Sequence, residues 1–239
     1  MAIKYAHFSN AWIDFYDVLT KLLTSPQITK NCELGAGANP YLPLDFIESH
    51  GLEYTILDIS AEELQKAPDG YHKLQADITD SKLNLSERYD LVFSMQLAEH
   101  VISGLNFHQN IQKILHQGGY SFHLFPTLYA IPFMMNRYFP QDLSTWILLL
   151  NDPSRIKEGN RGKFPAYYSW CQGPTEKQMN NFETLGFEIE EYVGFFGHDY
   201  YLNFPPLKAL SEVVADKLLK KPIPQLTTYA YVLLRNQHA

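Results

Sequence analysis

Between Ile28 and Pro126 short apolar strands alternate with turns and amphipathic helices, and this rhythm is what most constrains the fold. Strands in such an order run parallel, and a parallel pair needs a crossover of helix length between its members. Ile28–Leu34 reads as the first strand, with a helix after Pro40. Tyr54–Asp58 and Tyr71–Asp77 read as the second and third, and Tyr89–Ser94 as the fourth. A helix over about Leu105–His116 stops at Gly118-Gly119, and Tyr120–Phe125 is the fifth strand. Little alternation within these runs indicates strands buried on both faces. Ser60 and Glu63 are spaced as a capping box at the start of the helix after the second strand.

Around this core the pattern changes. Residues 8–24 repeat Trp12, Phe15, Tyr16, Leu19, Leu22 and Leu23 at helical steps, so residues 1–27 are expected to form a helical lid. From Thr127 to Pro174 the α/β rhythm stops, and Pro132, Pro140, Pro153, Pro165 and Pro174 punctuate an aromatic-rich stretch. That stretch is too short for an independent core, so 127–174 reads as a cap inserted into one domain spanning 1–239. A helix at Thr175–Leu185, a strand at Phe187–Phe196, a helix at Leu207–Leu219 and a strand at Thr227–Arg235 close the sheet. The expected fold is therefore α/β: a doubly wound, seven-stranded, mostly parallel sheet with a cap after the fifth strand.

Composition narrows the partners. The net charge is −7 and the longest basic run is Lys220-Lys221. Phosphate backbones are held by clustered cations, so nucleic acid is not expected as a partner. Asn136, Arg137, Gln141 and Asp142 interrupt the most apolar stretch, which leaves no membrane span. Cys32 and Cys171 match no metal spacing, and with no signal-peptide layout at Met1–Tyr5 a reducing, cytoplasmic setting is expected. A homodimer is compatible with the sequence.

The chemistry is concentrated at the ends of the strands. Glu33-Leu34-Gly35-Ala36-Gly37 lies where a strand turns into a helix, where glycines let backbone approach a ligand. Asp58 ends the next strand, where a carboxylate can accept both hydroxyls of a ribose. Asp77 ends the third, Ser94 the fourth, and Leu115-His116-Gln117-Gly118-Gly119 precedes the fifth.

In this order of features the sequence resembles the class I S-adenosylmethionine-dependent methyltransferases, closely over Ile28 to about Pro126 and loosely beyond. The resemblance implies S-adenosylmethionine as cofactor, on a Rossmann-like sheet. Glu33, Gly35, Ala36 and Gly37 would pack against its methionine part. Asp58 would meet the ribose and Asp77 the adenine, with Ile59 and Ile78 beside them as further cofactor contacts, and the loop of Ser94, Met95 and Gln96 would pass the methionine amino group. A third glycine is missing, with Asn39-Pro40 in its place, which favours this cofactor over a dinucleotide.

Some relatives hold a divalent ion with two carboxylates and a histidine after the fourth strand. Glu99 and His100 match part of that set, but Gln96 replaces the first carboxylate, and an uncharged amide is a poorer ligand for a hard cation. No metal is expected. Twenty of the chain's 34 aromatics fall in residues 120–204, which points to an aromatic-walled pocket there as well as to packing. Tyr167, Tyr168, Trp170 and His198 are the candidate acceptor contacts. The expectation is methyl transfer to an oxygen or nitrogen of a small aromatic or apolar molecule, as in secondary metabolism. A nucleic-acid methyltransferase and a non-catalytic binding protein of the same fold are the alternatives.

Overall fold

A computed structural model describes residues 2–127, 165–199 and 205–238. In chain order the elements are β1 (Ala2–His7), α1 (Ala11–Leu23), β2 (Lys30–Leu34), α2 (Leu44–Ser49), β3 (Glu53–Asp58), α3 (Ala61–Lys66) and β4 (His72–Gln75). Then come β5 (Tyr89–Met95), α4 (Gly104–Ile114), β6 (Leu115–Pro126), α5 (Glu176–Thr184), β7 (Phe187–Phe196), α6 (Pro205–Lys220) and β8 (Tyr229–Asn236).

The strands form one sheet in the order β1-β7-β8-β6-β5-β2-β3-β4. β2 to β6 are parallel to their neighbours, while β8 runs antiparallel between β6 and β7. From β2 the chain winds outward through β3 and β4, then returns to the other side of β2 as β5. The strand order therefore reverses between β2 and β5, and in such sheets ligands lie beyond the carboxyl ends of the strands at that point.

Three expectations are corrected. The sheet has eight strands among the described residues, because Ala2–His7 pairs in parallel with β7 at its edge. The first part of the expected lid is thus strand. Helix α1 packs on the sheet through buried Ala11, Phe15, Leu19 and Leu23, with Phe15 stacked on Phe122 at 4.4 Å. The helix before the fifth strand ends at Ile114, and the strand starts at Leu115, ahead of the Gly-Gly pair. A register shift between Tyr89 and Leu91 lets β6 begin this early. Of the expected cap, residues 128–164 lie outside the described residues.

The two faces of the sheet are packed differently. Phe122 and Tyr231 meet Phe15 of α1 on one face. His123, the next residue of β6, turns to the other and meets Phe107 and His108 of α4. Phe182 of α5 closes the second face against His108 and Tyr192.

Candidate functional site

The turn after β2 is built for close approach. Gly35 and Gly37 have φ of +73° and +50°, a left-handed conformation that a side chain disfavours. A Cβ on Gly35 would stand 2.9 Å from Leu97 Cδ1, so the loop after β5 lies directly on this turn. A Cβ on Gly37 would fall 3.4 Å from Asp58 Oδ2. Ala36 is buried and Ile59 is exposed beside Asp58.

Asp58 divides its carboxylate between two tasks. Oδ1 accepts the Ser60 N–H at 2.8 Å, while Oδ2 faces Gly37 and has no partner among the described residues. Ser60 caps α3 by accepting the Glu63 N–H at 3.2 Å, as expected. The reciprocal half of the capping box does not form. Asp58 already holds the Ser60 N–H, and Glu63 turns to Lys66 at 2.6 Å. Asp77 is similar: Oδ1 accepts both the N–H and the hydroxyl of Thr79, at 2.8 and 2.7 Å.

Glu33 is buried and anchors the turn from below. Its Oε2 accepts the Tyr54 hydroxyl at 2.5 Å and the Tyr41 N–H at 2.9 Å. Burial raises its pKa, and the two donors offset only part of that rise. Tyr41 in turn stacks on Tyr16 of α1 at 5.0 Å. Tyr16, Tyr41 and Tyr54 carry no motif signature in the sequence. Asn110, also unanticipated, holds the loop after β4 from α4 by donating to the carbonyls of Ile78 and Asp80 at 2.9 and 2.7 Å.

Within β5, Ser94 is fully buried with its hydroxyl 2.8 Å from His123 Nδ1, so its side chain belongs to the sheet. Met95 still pairs with Leu124, and Gln96 donates its N–H to the Leu124 carbonyl at 2.8 Å. Gln96 has φ +52°, a strained conformation for a residue with a side chain and one that collects at functional loops. Glu99 is buried, its Oε2 has no partner among the described residues, and burial pushes its pKa up to about 8. Its backbone carbonyl accepts the N–H groups of Tyr167 and Tyr168, and His100 Nδ1 lies 2.9 Å from the Pro165 carbonyl.

The candidate acceptor residues do not converge. Tyr168 is buried, and Trp170 stacks on His108 at 5.7 Å and meets Phe182 edge-on at 6.1 Å, within the α4–α5 layer. The close fit of Gly104 beneath Trp170, where a Cβ would stand 2.6 Å from the Trp170 Cβ, fixes it there. Tyr167 is exposed. His198 sits instead at the carboxyl end of β7, with burial lowering its pKa. A cavity of about 480 Å³ opens at the amino ends of β2, β3 and β4, lined by Lys30, Tyr54, Tyr71, His72 and Glu87 among others. It lies at the opposite edge from the glycine turn, so the strand reversal, not this cavity, locates the site.

Residues 32–123 match the family model of the methyltransferase domain. Among solved structures, an S-adenosylmethionine-dependent methyltransferase from Mesorhizobium loti is similar over 92% of this chain and 97% of that one, at 20% identity and TM-score 0.53. The N-methyltransferase NodS of Bradyrhizobium japonicum, in complex with S-adenosyl-L-homocysteine, is similar over 95% and 87%, at 12% identity and TM-score 0.52. The [4+2]-cyclase SpnF is similar over 98% and 84%, at 13% identity and TM-score 0.57. At these identities the neighbours establish the fold, which hosts more than one chemistry. No curated protein matches in sequence. The family match runs from β2 into β6, on a sheet that reverses at its glycine turn, so residues 32–123 resemble a methyltransferase domain and the chain has the fold of the S-adenosylmethionine-dependent methyltransferases.

Proposed function

We propose that the chain transfers a methyl group from S-adenosylmethionine to an oxygen or nitrogen of a small molecule. The observation that carries this is convergence: Gly35–Gly37, Asp58, the Asp77–Ile78 loop and Met95–Gln96 all leave the sheet at the carboxyl edge around the strand reversal. Bound there, the cofactor supplies an activated sulfonium methyl, whose transfer to an acceptor lone pair leaves a thioether and releases the acceptor proton. The residues have simpler work. Asp58 Oδ2 would accept from the ribose hydroxyls, and the backbone of Gly35–Gly37 would pack against the methionine part. The Asp77 loop receives the adenine, with Ile59 exposed beside it. The strained Gln96 loop borders the methionine amino group. Alignment and exclusion of water then account for most of the rate.

A small acceptor is favoured over nucleic acid by the net charge of −7. Among the described residues no helix is long and apolar enough to cross a membrane, in keeping with a cytoplasmic enzyme. Gln96, an uncharged amide where metal-dependent relatives carry a carboxylate, supports transfer without a metal ion. Calorimetry with S-adenosylmethionine and S-adenosylhomocysteine tests the cofactor site. Mass spectrometry of small molecules that co-purify tests the acceptor, and turnover in excess chelator tests the metal. Absent cofactor binding by the wild-type protein sinks the reading.

A further inference from the structure

The carboxyl edge of the sheet carries a second aromatic group, on the α1 face. Tyr229 begins β8 and pairs with Pro126, at the end of β6, and with Phe195, near the end of β7. Trp12, in the first turn of α1, lies 5.0 Å from the Tyr229 ring. Phe8, just before that helix, lies 5.9 Å from both rings, edge-on to Trp12 and tilted to Tyr229. Tyr231, two residues on, meets Phe15 of α1, which places this cluster on the face that also carries Phe93, Tyr41 and Tyr16.

The position matters because of the register. Gln96 bonds Leu124 of β6, and β6 pairs directly with β8 at Pro126–Tyr229. Tyr229 therefore stands two strand spacings, roughly 10 Å, to the side of the strand that carries the Met95–Gln96 loop. A bicyclic ring spans much of that gap. Phe8 and Trp12 are only partly buried while Tyr229 is buried behind them, so the open surface at the rim belongs to Phe8 and Trp12.

The ring spacing also says what fits. Centroids 5.0 to 5.9 Å apart put the three rings in mutual contact, so no cation can sit between them as in an aromatic cage. What Phe8 and Trp12 offer is an outer face backed by Tyr229, and an outer aromatic face stacks on a flat ring. We propose that Phe8 and Trp12, held in place by Tyr229 behind them, form the wall against which the methyl acceptor lies, and that the acceptor is a flat aromatic molecule. This rests on the reading of the chain as a small-molecule methyltransferase and names its specificity residues.

The test measures binding of 2-naphthol and of decahydro-2-naphthol, its saturated counterpart, to protein loaded with S-adenosylhomocysteine. The wild-type protein should prefer the aromatic probe at least tenfold. Trp12→Leu and Tyr229→Leu should each erase most of that preference while S-adenosylhomocysteine affinity stays within twofold. Equal binding of the two probes by the wild type, or a preference that survives in both folded variants, overturns the proposal. Tyr167→Leu, outside this wall, should keep the preference. If S-adenosylhomocysteine fails to bind the wild-type protein, the methyltransferase reading fails instead.

Discussion

A Cβ on Gly37 would come within 3.4 Å of Asp58 Oδ2, so the second glycine of the turn and the carboxylate of the neighbouring strand form one wall. Gly37→Ala adds a methyl group there and forces a side chain into φ near +50°, at a cost of about 1–2 kcal/mol. It should weaken S-adenosylhomocysteine binding. Asp58→Ala should weaken it by roughly 1.5–3 kcal/mol, the range for hydrogen bonds to a charged group. Ser60→Ala is the control: loss of the α3 cap should cost about 1 kcal/mol of stability and leave affinity unchanged. Calorimetry on the three variants decides, and an Asp58→Ala protein that binds like wild type confines Asp58 to holding Ser60.

Tyr54→Phe removes one of the two donors on Glu33 Oε2 and leaves a buried carboxylate with the Tyr41 N–H. The expected loss of stability is about 1–3 kcal/mol. Cofactor affinity should fall as well, because Tyr41 and the glycine turn share the Glu33 anchor. Urea unfolding and calorimetry read the two effects separately. Unchanged values in both would mean that Glu33 is held by packing alone.

Stability should pass through a maximum near pH 6.5. His108 and His123 are buried neutral, with burial holding His108 down to about 3 and His123 well below its ordinary 6.5. Their contribution is full above pH 6.5 and is lost as pH falls, by up to about 1.4 kcal/mol per pH unit for each. Glu99 has the opposite sign: its pKa of about 8 is raised from 4.5, so its contribution is lost as pH rises between those values. Between 4.5 and 6.5 the two histidines outweigh Glu99, and above 6.5, where the histidines no longer contribute to the slope, Glu99 sets the fall. Urea midpoints from pH 5 to 8 should show both limbs. His108→Phe should flatten the acid limb and Glu99→Gln the alkaline one.

Trp170→Ala should act on stability, with a loss of about 3 kcal/mol, because its ring fills the layer between His108 and Phe182. Once an acceptor is known, its KM in a folded Trp170→Ala protein should stay near wild type. A large change in KM without a change in melting temperature would restore Trp170 to the acceptor pocket.

The β2–β6 core was legible because each strand is followed closely by its own turn and helix, so local pattern and spatial neighbourhood coincide. Asp58 and Gly37 were readable for the same reason. Strand β1 was not. Its six residues alternate weakly, and its partner among the described residues, β7, lies almost at the other end of the chain. The capping box failed through competition that spacing does not reveal, since Asp58 reaches the Ser60 N–H first. Aromatic density drew attention to residues 120–204. The rim cluster instead joins Phe8 and Trp12 to Tyr229, which only the sheet order brings together.

The β1–β7 pairing carries a consequence for how the molecule matures. Lys4 and Glu191, ion-paired at 2.7 Å, are 187 residues apart. During synthesis β1 waits without a strand partner while β2 to β6 are made, and those strands need only nearby chain to assemble. The half of the protein that holds the glycine turn and Asp58 can therefore take shape early. Seating of Phe8 and Trp12 against Tyr229 must wait for the last strand. If that aromatic group is the acceptor wall, the donor side of the site is laid down before the acceptor side.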